Sequence, residues 1–371
     1  MGMRTWIQIN KPSLIGNMKT LRGLLSAKSR FMAVIKSNAY GHGLVTVAKI
    51  LNSDKEFQSR GWFGVDSIVE ALRLRREGIK NDILVLGSTL PENMKEAADR
   101  RIILSISTFE ALKAASTAKA RIHLKFDSGM HRQGFLPAQT PRLINELKRL
   151  QITPEGIFTH FASAKDPAYP TYTLSQIDKF KKALRLFKQG GFKNLIQHAA
   201  ASGGGLLFPE SHFDMVRFGI ALYGYFPSLE AQIALQHKLR LRPVLEWCAK
   251  VTEVKEIPAG SYIGYDLTQK VSRKTRLAII PVGYWHGYDR GLSSCGEVLI
   301  RGVRRCVLGR VSMDMIAVDV SAGKVAVGDI AVLIGRQGKE VVWANDLALK
   351  INSSPYEVLT RTNPLIKRIT V

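Results

Sequence analysis

The sequence predicts an α/β protein in two parts, an N-terminal (β/α)8 barrel of the TIM type followed by a C-terminal domain made mostly of β-strands. Eight β-rich apolar runs fall between residues 31 and 222, most of them separated by stretches with helical apolar spacing. That alternation is the order of a parallel barrel, whose usual length is ~250 residues. An open doubly wound sheet is the competitor, but no Gly-x-Gly-x-x-Gly loop follows the first run, and such a sheet commonly carries one there. From about residue 239 the texture changes to short β-branched runs divided by glycine turns, the pattern of an all-β domain.

Taken in order, residues 5–10 (TWIQIN) alternate well enough for a short strand. Pro12 and Ser13 then open a helical pattern that places Leu14, Met18, Leu21 and Leu25 on one face. The barrel strands are predicted at 31–37, 62–66, 83–86, 102–106, 122–126, 156–161, 196–199 and 215–222. Helices are predicted among the connections at 68–77, 109–118, 140–150 and 174–189. The later β runs are 245–257, 277–284, 297–300, 307–311, 316–320 and 330–334, with one helix at 343–351. The division of the chain is therefore a barrel over 11–238 and a β domain over 239–371.

Hydrophobic residues make up 46% of the 371-residue chain and charged residues 23%, which excludes extensive disorder. No apolar run approaches the roughly 20 residues of a membrane span, and the N-terminus lacks a secretory pattern, so a cytoplasmic protein is expected. Cys248, Cys295 and Cys306 are odd in number and widely spaced, so neither a disulfide framework nor a metal site is indicated. The formal charge of +24 raises the question of nucleic acid. The basic residues are scattered through helical and hairpin contexts with no recognition module, so a solvated basic surface is expected rather than a specific nucleic-acid partner.

Active sites of such barrels lie at the C-terminal ends of the strands. Lys36 closes the first barrel run, with Tyr40 just beyond it. A strand-end lysine is partly desolvated and suits imine chemistry, although a lysine whose stem packs on the rim would look the same. The fifth run leads into Lys125, Asp127 and Arg132, the sixth carries His160, and Arg217 and Gly219 lie at the eighth. HAAASGGG (198–205) and RFGIALYG (217–224) follow the last two runs, where such barrels often cradle a phosphate. Each feature alone has a structural reading as a turn glycine, a rim histidine or an ion-pair arginine. A lysine, a phosphate-like cradle and two arginines on one rim together match a phosphate-bearing aldehyde held on the lysine.

Six segments, VIKSNAYGHG (34–43), KFDSGMHRQG (125–134), THFASAKD (159–166), VRFGIALYG (216–224), GRVSMDM (309–315) and SSPYEVLTR (353–361), resemble in order the signatures of bacterial alanine racemases, pyridoxal phosphate enzymes of fold type III. The resemblance implies a cofactor-binding barrel, a C-terminal β domain joined by the N-terminal strand within residues 1–10, and a head-to-tail homodimer that shares its active sites. It implies interconversion of L- and D-alanine by two bases, supplying D-alanine for peptidoglycan. Lys36 then holds pyridoxal 5'-phosphate and serves as one base, and Tyr265 of the partner subunit matches the other. His160 and Arg217 resemble the supporting network, with Arg217 facing the pyridine nitrogen. Tyr40, Ser202, Gly219, Ile220 and Tyr356 match the phosphate-binding set. Arg132 and the backbone of Met313 match groups that meet the substrate carboxylate, Tyr284 lies near the access channel, and Lys125 matches a lysine often carbamylated in the family.

Several positions depart from the family pattern: His131, Gln133, Ala201, Asp266, Trp285, His286 and Leu365. None removes a proposed catalytic group, but they bear on access polarity, substrate range and dimer packing. A broader-specificity racemase and a non-enzymatic pyridoxal phosphate carrier remain alternatives. A basic amino-acid decarboxylase needs no second base opposite the lysine, and Tyr265 and Arg217 argue against it.

Overall fold

Among residues 2–371, which the computed structural model describes, β1 (Thr5–Ile9) pairs within a C-terminal sheet and the next eight strands form a barrel of their own. The chain divides into two compact units, one of Leu14–Ser37 and Val47–Arg242, the other of Met1–Ser13, Asn38–Thr46 and Pro243–Val371. Met1, within the segment 1–10, lies outside the described residues.

The barrel strands of the first unit are β2 (Arg30–Val34), β3 (Trp62–Val65), β4 (Ile83–Val85), β5 (Ile103–Ile106), β6 (Arg121–Lys125), β7 (Gly156–Phe158), β8 (Ile196–His198) and β9 (Met215–Phe218). They pair in parallel in the order β8-β7-β6-β5-β4-β3-β2-β9. The ring closes between β8 and β9 without a regular ladder, through Asp214 N–H to Gln197 O at 2.9 Å and Arg217 N–H to Ala200 O at 3.1 Å. Every residue of β3, β4, β5, β7 and β9 is buried. Strands covered on both faces read as continuous apolar runs, which is why these segments show no alternation.

Side-chain caps start several of the surrounding helices: Ser67 for Ile68–Arg76, Thr108 for Phe109–Thr117 and Asp54 for Lys55–Arg60. The helix Thr171–Gln189 begins three residues before its predicted start and turns Ile177, Phe180, Ala183 and Phe187 inward. Its buried aromatics are worth roughly 1.5–3 kcal/mol each by area, and truncating Phe180 to alanine removes about 3–5 kcal/mol. β2, β7 and β9 stop three or four residues short of the sequence expectation. β2 ends at Val34 because the backbone turns left-handed at Ser37, and β9 ends at Phe218 because Gly219 adopts φ −105°, ψ −99°.

The second unit is a sheet in the order β11-β12-β15-β14-β13-β16-β10-β1-β18, with β17 on β16. Its strands are β10 (Leu245–Lys250), β11 (Glu253–Ile257), β12 (Thr275–Ile280), β13 (Glu297–Ile300), β14 (Val303–Leu308), β15 (Ile316–Asp319), β16 (Ile330–Gln337), β17 (Glu340–Val342) and β18 (Arg368–Thr370). The single predicted run 245–257 is two strands. β10 pairs with β1 and β16, and beyond Thr252 the chain changes partner to β12. Two helices follow rather than the one expected, Ala344–Lys350 and Pro355–Thr360. The second is six residues long, too short to show a period, and starts on a Ser354 cap with Pro355 in its first turn.

Candidate active site

Lys36 sits just past the end of β2, on the C-terminal rim of the barrel. Its Nζ lies 3.2 Å from Asp66 Oδ1, just beyond β3, and its side chain is 38% exposed. The lysine is thus ion-paired and partly open to solvent. The next four residues, Ser37 to Tyr40, all have φ between 52° and 55°. Each L-residue held in that left-handed region costs roughly 1–2 kcal/mol, so the turn needs compensation. It comes from Asn38 Oδ1, which accepts from Leu44 N–H at 2.9 Å, from Gly43 N–H to Asn38 O at 2.9 Å, and from His42 Nδ1, 3.0 Å from both the Ala39 and Tyr40 carbonyls. Burial pushes His42 down to about 4, which keeps the ring neutral in that role.

A polar cluster lies in the barrel interior below this rim. Register places Lys125 of β6 beside Phe158 of β7, and Phe158 beside His198 of β8. Arg217 of β9 donates from Nη1 to His198 Nδ1 at 2.8 Å, and from Nη2 to the Thr159 and Ala199 carbonyls, each at 2.8 Å, and to His160 Nδ1 at 3.2 Å. A guanidinium only donates, so both Nδ1 atoms accept. His198 therefore carries its proton on Nε2 and passes it toward His123 Nδ1, 2.9 Å away. Burial, then Arg217, holds both His160 (about 3) and His198 well below the ordinary imidazole range, and burial brings His123 to about 3. Burial also lowers Arg217 to about 9, which leaves it charged at neutral pH. The tautomers of all three imidazoles are fixed by one cation.

Lys125 is 7% exposed, and burial followed by Arg132, Arg217 and Lys36 pushes it down to about 8. Its Nζ donates to Gln133 Oε1 at 2.7 Å, and Gln133 Nε2 reaches Ser88 Oγ at 2.9 Å and Ser107 Oγ at 3.3 Å. Gln133, a departure from the family pattern, is thus the clamp on Lys125. Asp127 Oδ1 accepts from the backbone N–H groups of Gly129 (2.9 Å), Met130 (2.9 Å) and His131 (3.1 Å), which shapes the loop carrying Arg132. Burial opposes its ionisation, yet those three donors hold Asp127 below its usual carboxylate range.

At the ends of β8 and β9, Ser202 Oγ accepts from Gly219 N–H at 3.0 Å and Ala221 N–H at 3.3 Å, leaving its own hydrogen to donate elsewhere. Ala201 occupies the N-cap of Ser202–Leu207 and offers no side-chain cap. The three glycines serve close packing: a Cβ on Gly203 would fall 2.0 Å from Ala164 O, and one on Gly205 2.8 Å from Val216 Cγ1. Ile220 is buried and opens the 3-10 turn Ile220–Tyr223.

The remaining predicted residues belong to the second unit. Tyr40 and Tyr356 lie with ring centroids 6.1 Å apart, and burial, then Tyr40, pushes the Tyr356 phenol up. Arg368 donates to Gly41 O from Nε (3.1 Å) and Nη2 (2.9 Å), fixing the loop that bears Tyr40. Tyr265 opens a short 3-10 turn and is 67% exposed. Asp266 follows it at φ 64°, with its carboxylate 3.4 Å from Arg310 Nε and 3.8 Å from Arg290 Nη2. The segments of Tyr284 and Met313 run side by side, Tyr284 N–H reaching Ser312 O and Trp285 N–H reaching Met313 O, each at 3.0 Å. His286 Nδ1 accepts from Gly283 N–H at 3.2 Å, and Leu365 is exposed. Among the described residues no group of three or more His, Cys, Asp or Glu could hold a metal ion.

Residues 9–227 match the family model described as alanine racemase, N-terminal domain, and residues 244–370 match alanine racemase, C-terminal domain. The chain belongs to the alanine racemase family. The alanine racemase of Leptospira interrogans is 39% identical over 376 aligned residues, which cover 99% of this chain and 96% of the relative. The crystal structure of alanine racemase from D-cycloserine-producing Streptomyces lavendulae superposes with a TM-score of 0.93 at 33% identity, over 100% of this chain and 98% of that one. A third member, the alanine racemase of Bartonella henselae with covalently bound pyridoxal phosphate, gives 0.87 at 27% identity, over 100% of both chains. The barrel with an appended β domain is therefore the alanine racemase fold.

Sequence reasoning missed Asp66, His123 and His198, and it flagged Gln133 without its role. Asp66 shows no signal, because an acid after a strand is ordinary. The two histidines read as interior strand residues, and they meet across the barrel interior from β6 and β8, which β7 separates, so no local sequence pattern signals their contact.

Proposed function

We propose that the chain is a pyridoxal 5'-phosphate-dependent alanine racemase that interconverts L- and D-alanine with two bases, supplies D-alanine for peptidoglycan, and works as a cytoplasmic homodimer. No helix of the described residues is long and apolar enough to cross a membrane. The observation that carries the reading is a primary amine, Lys36, on the same barrel as a buried arginine tied by four acceptors, with a serine cradle at the ends of β8 and β9. The donor chemistry fits the cofactor: an amine for an aldehyde, a free hydroxyl hydrogen on Ser202 for a phosphate, and a fixed cation, Arg217, for a pyridine nitrogen.

Pyridoxal phosphate, when bound, supplies an electron sink for the pair left behind when the alanine Cα–H bond breaks. The protein's part is to bind, orient and move the proton. Lys36 holds the cofactor and exchanges the Cα proton on one face, and Tyr265 of the partner subunit does so on the other. Inversion requires both, since a proton must leave one face and arrive on the opposite one. Arg217 keeps its proton, because its donors are aimed at two carbonyls and two neutral imidazoles. Arg217 would therefore give no proton to the pyridine nitrogen of the bound cofactor, which would limit delocalisation and side reactions such as transamination. Tyr40, Ser202, Gly219, Ile220 and Tyr356 hold the phosphate, and Arg132 with the backbone of Met313 holds the substrate carboxylate. Tyr284 borders the access channel. We assign the cofactor domain to 11–238 and the β domain to 239–371, joined by 1–10; the split between the two family matches supports this.

A second reading, a racemase of broader range, is favoured by Asp266 between Arg290 and Arg310 and by the exposed Trp285. Incubation of L-alanine in deuterated water separates the outcomes. Solvent deuterium at Cα together with D-alanine is expected; deuterium without D-alanine sinks the two-base proposal, and equal rates across an amino-acid panel favour the second reading.

A further inference from the structure

The barrel unit has a cavity of about 570 Å³ at the N-terminal ends of β2, β3 and β4, on the face opposite the rim that carries Lys36. Its charges are uneven. The three carboxylates, Asp54, Glu56 and Asp82, already face cations: Lys19 at 3.6 Å, Arg22 at 3.4 Å and Arg121 at 2.8 Å. Lys28, Arg30, Arg60 and Lys80 also line it, are exposed, and make no ion pair or side-chain hydrogen bond among the described residues. A second hollow of about 430 Å³ shares Lys80 and Asp82 and continues the series with Arg100 and Arg101.

Part of the basic character of this face has an ordinary cause, because cations in the last turn of a helix answer its macrodipole. Arg75 is structural, donating to the carbonyls of Ile79 (2.7 Å), Asn81 (2.8 Å), Arg100 (3.0 Å) and Arg101 (3.1 Å). Arg121 is likewise held by Glu155 and Asp82. Neither explanation covers Lys28, Lys80 and Arg101, which lie beyond the helix ends in the segments feeding β2, β4 and β5, or Arg30, the first residue of β2. The free cations follow the strand order, and neighbouring strands are about 4.8 Å apart, so they describe an arc of roughly 15 Å over four strands. The aromatic side chains lining the cavity, Phe31, Phe57 and Trp62, are buried, so the arc offers charge without a surface on which bases could stack. Proteins that hold single-stranded nucleic acid typically combine a basic groove with exposed aromatic platforms.

We propose that this arc binds a linear polyphosphate, a chain of anionic phosphates without bases, through Lys28, Arg30, Arg60, Lys80, Arg100 and Arg101. The test measures binding of long-chain polyphosphate to the pyridoxal phosphate-loaded enzyme by anisotropy between about 50 and 200 mM salt. The combined variant Lys28→Gln, Arg60→Gln, Lys80→Gln is compared with Lys179→Gln, Lys181→Gln, Lys182→Gln, which removes the same charge from the helix Thr171–Gln189. At ~0.7 per contact, the first variant lowers the slope of log K against log salt by about 2 and the affinity about 100-fold at ~0.1 M salt. The second changes neither appreciably, and both keep full racemisation. Equal losses in the two variants overturn the site, since binding would then follow net charge alone. Tripolyphosphate competing mole for mole overturns the extended ligand, and an oligothymidylate or an anionic vesicle bound as tightly overturns the choice of polyphosphate. Should the combined variant fold poorly, Lys80→Gln alone carries the test, with a slope change of about 0.7 expected and an unchanged slope overturning the proposal.

Discussion

Replacing Lys125 with methionine removes a buried ammonium while keeping the length of the side chain. The lysine is 7% exposed and its ordinary value of 10.5 is lowered to about 8, by burial first and then by Arg132, Arg217 and Lys36. A fall of that size corresponds to about 3 kcal/mol against the folded state when the amine is charged in both states. Methionine escapes that term but strands Gln133 Oε1, which now accepts from Lys125 Nζ at 2.7 Å, at a cost of about 1 kcal/mol. The expected net effect is a gain of about 2 kcal/mol at pH 7, read as a higher urea midpoint at unchanged m. The sign with pH follows from the folded pKa lying below the unfolded one. The penalty on lysine is complete below pH 8 and vanishes above 10.5, so the advantage of methionine fades across that window. Racemisation falls, because the loop bearing Arg132 loses a neighbour. A Lys125→Met protein that is less stable at pH 7, or equally advantaged at both ends of the window, would falsify the free-amine account. The first of those outcomes is what a carbamate on Lys125 produces, since an anion among three cations would then have been removed.

Other expectations concern the two bases, the histidines and the tyrosine loop. Lys36→Ala abolishes the adduct that borohydride fixes to the chain, and a reducible adduct at normal occupancy removes Lys36 from its role. Tyr265→Phe lowers kcat by at least ~10² in either direction, while Cα hydrogen of one enantiomer still exchanges with solvent; unchanged turnover rejects Tyr265 as a base. His42, His123 and His160 titrate near 4, 3 and 3 when folded and near 6.5 when free. Their contribution is whole above pH 6.5 and is lost as pH falls toward those values, by about 2 kcal/mol each at pH 5. A urea midpoint that is the same at pH 7 and pH 5 contradicts neutral buried imidazoles. Asp266→Gly takes a carboxylate away from Arg290 and Arg310 and so lowers KM for the alanine carboxylate most at low salt; a KM independent of salt in both proteins shows that the pair does not act on substrate.

The parts of the fold that sequence revealed are those where burial is two-sided and repeated. Eight apolar runs with helical connections need cover on both faces, and a closed barrel ringed by helices provides it. Lys36 stood out because a charge ends an apolar run abruptly. The turn after it did not, because Ser37, Asn38, Ala39 and Tyr40 include no glycine, and the left-handed backbone is imposed by hydrogen bonds from Leu44, Gly43 and His42. Gln133 was visible as an unusual residue, but its clamp depends on Ser88 and Ser107, which come from two other strand ends. β17 and β18 are three residues each and Pro355–Thr360 six, below the length at which periodicity can be read.

The place of β1 in its sheet has a consequence for synthesis. Its two neighbours are β10, antiparallel from Leu245, and β18, parallel from Arg368. The strand TWIQI is uncharged and β-prone, and its first partner emerges about 240 residues later. At ~5–20 residues per second that is a wait of roughly 12–48 s on the ribosome. Throughout it the nascent chain carries an open edge, able to pair with a strand of another chain. Whatever shields that edge during translation sets the yield of folded protein, although it touches no residue of the active site.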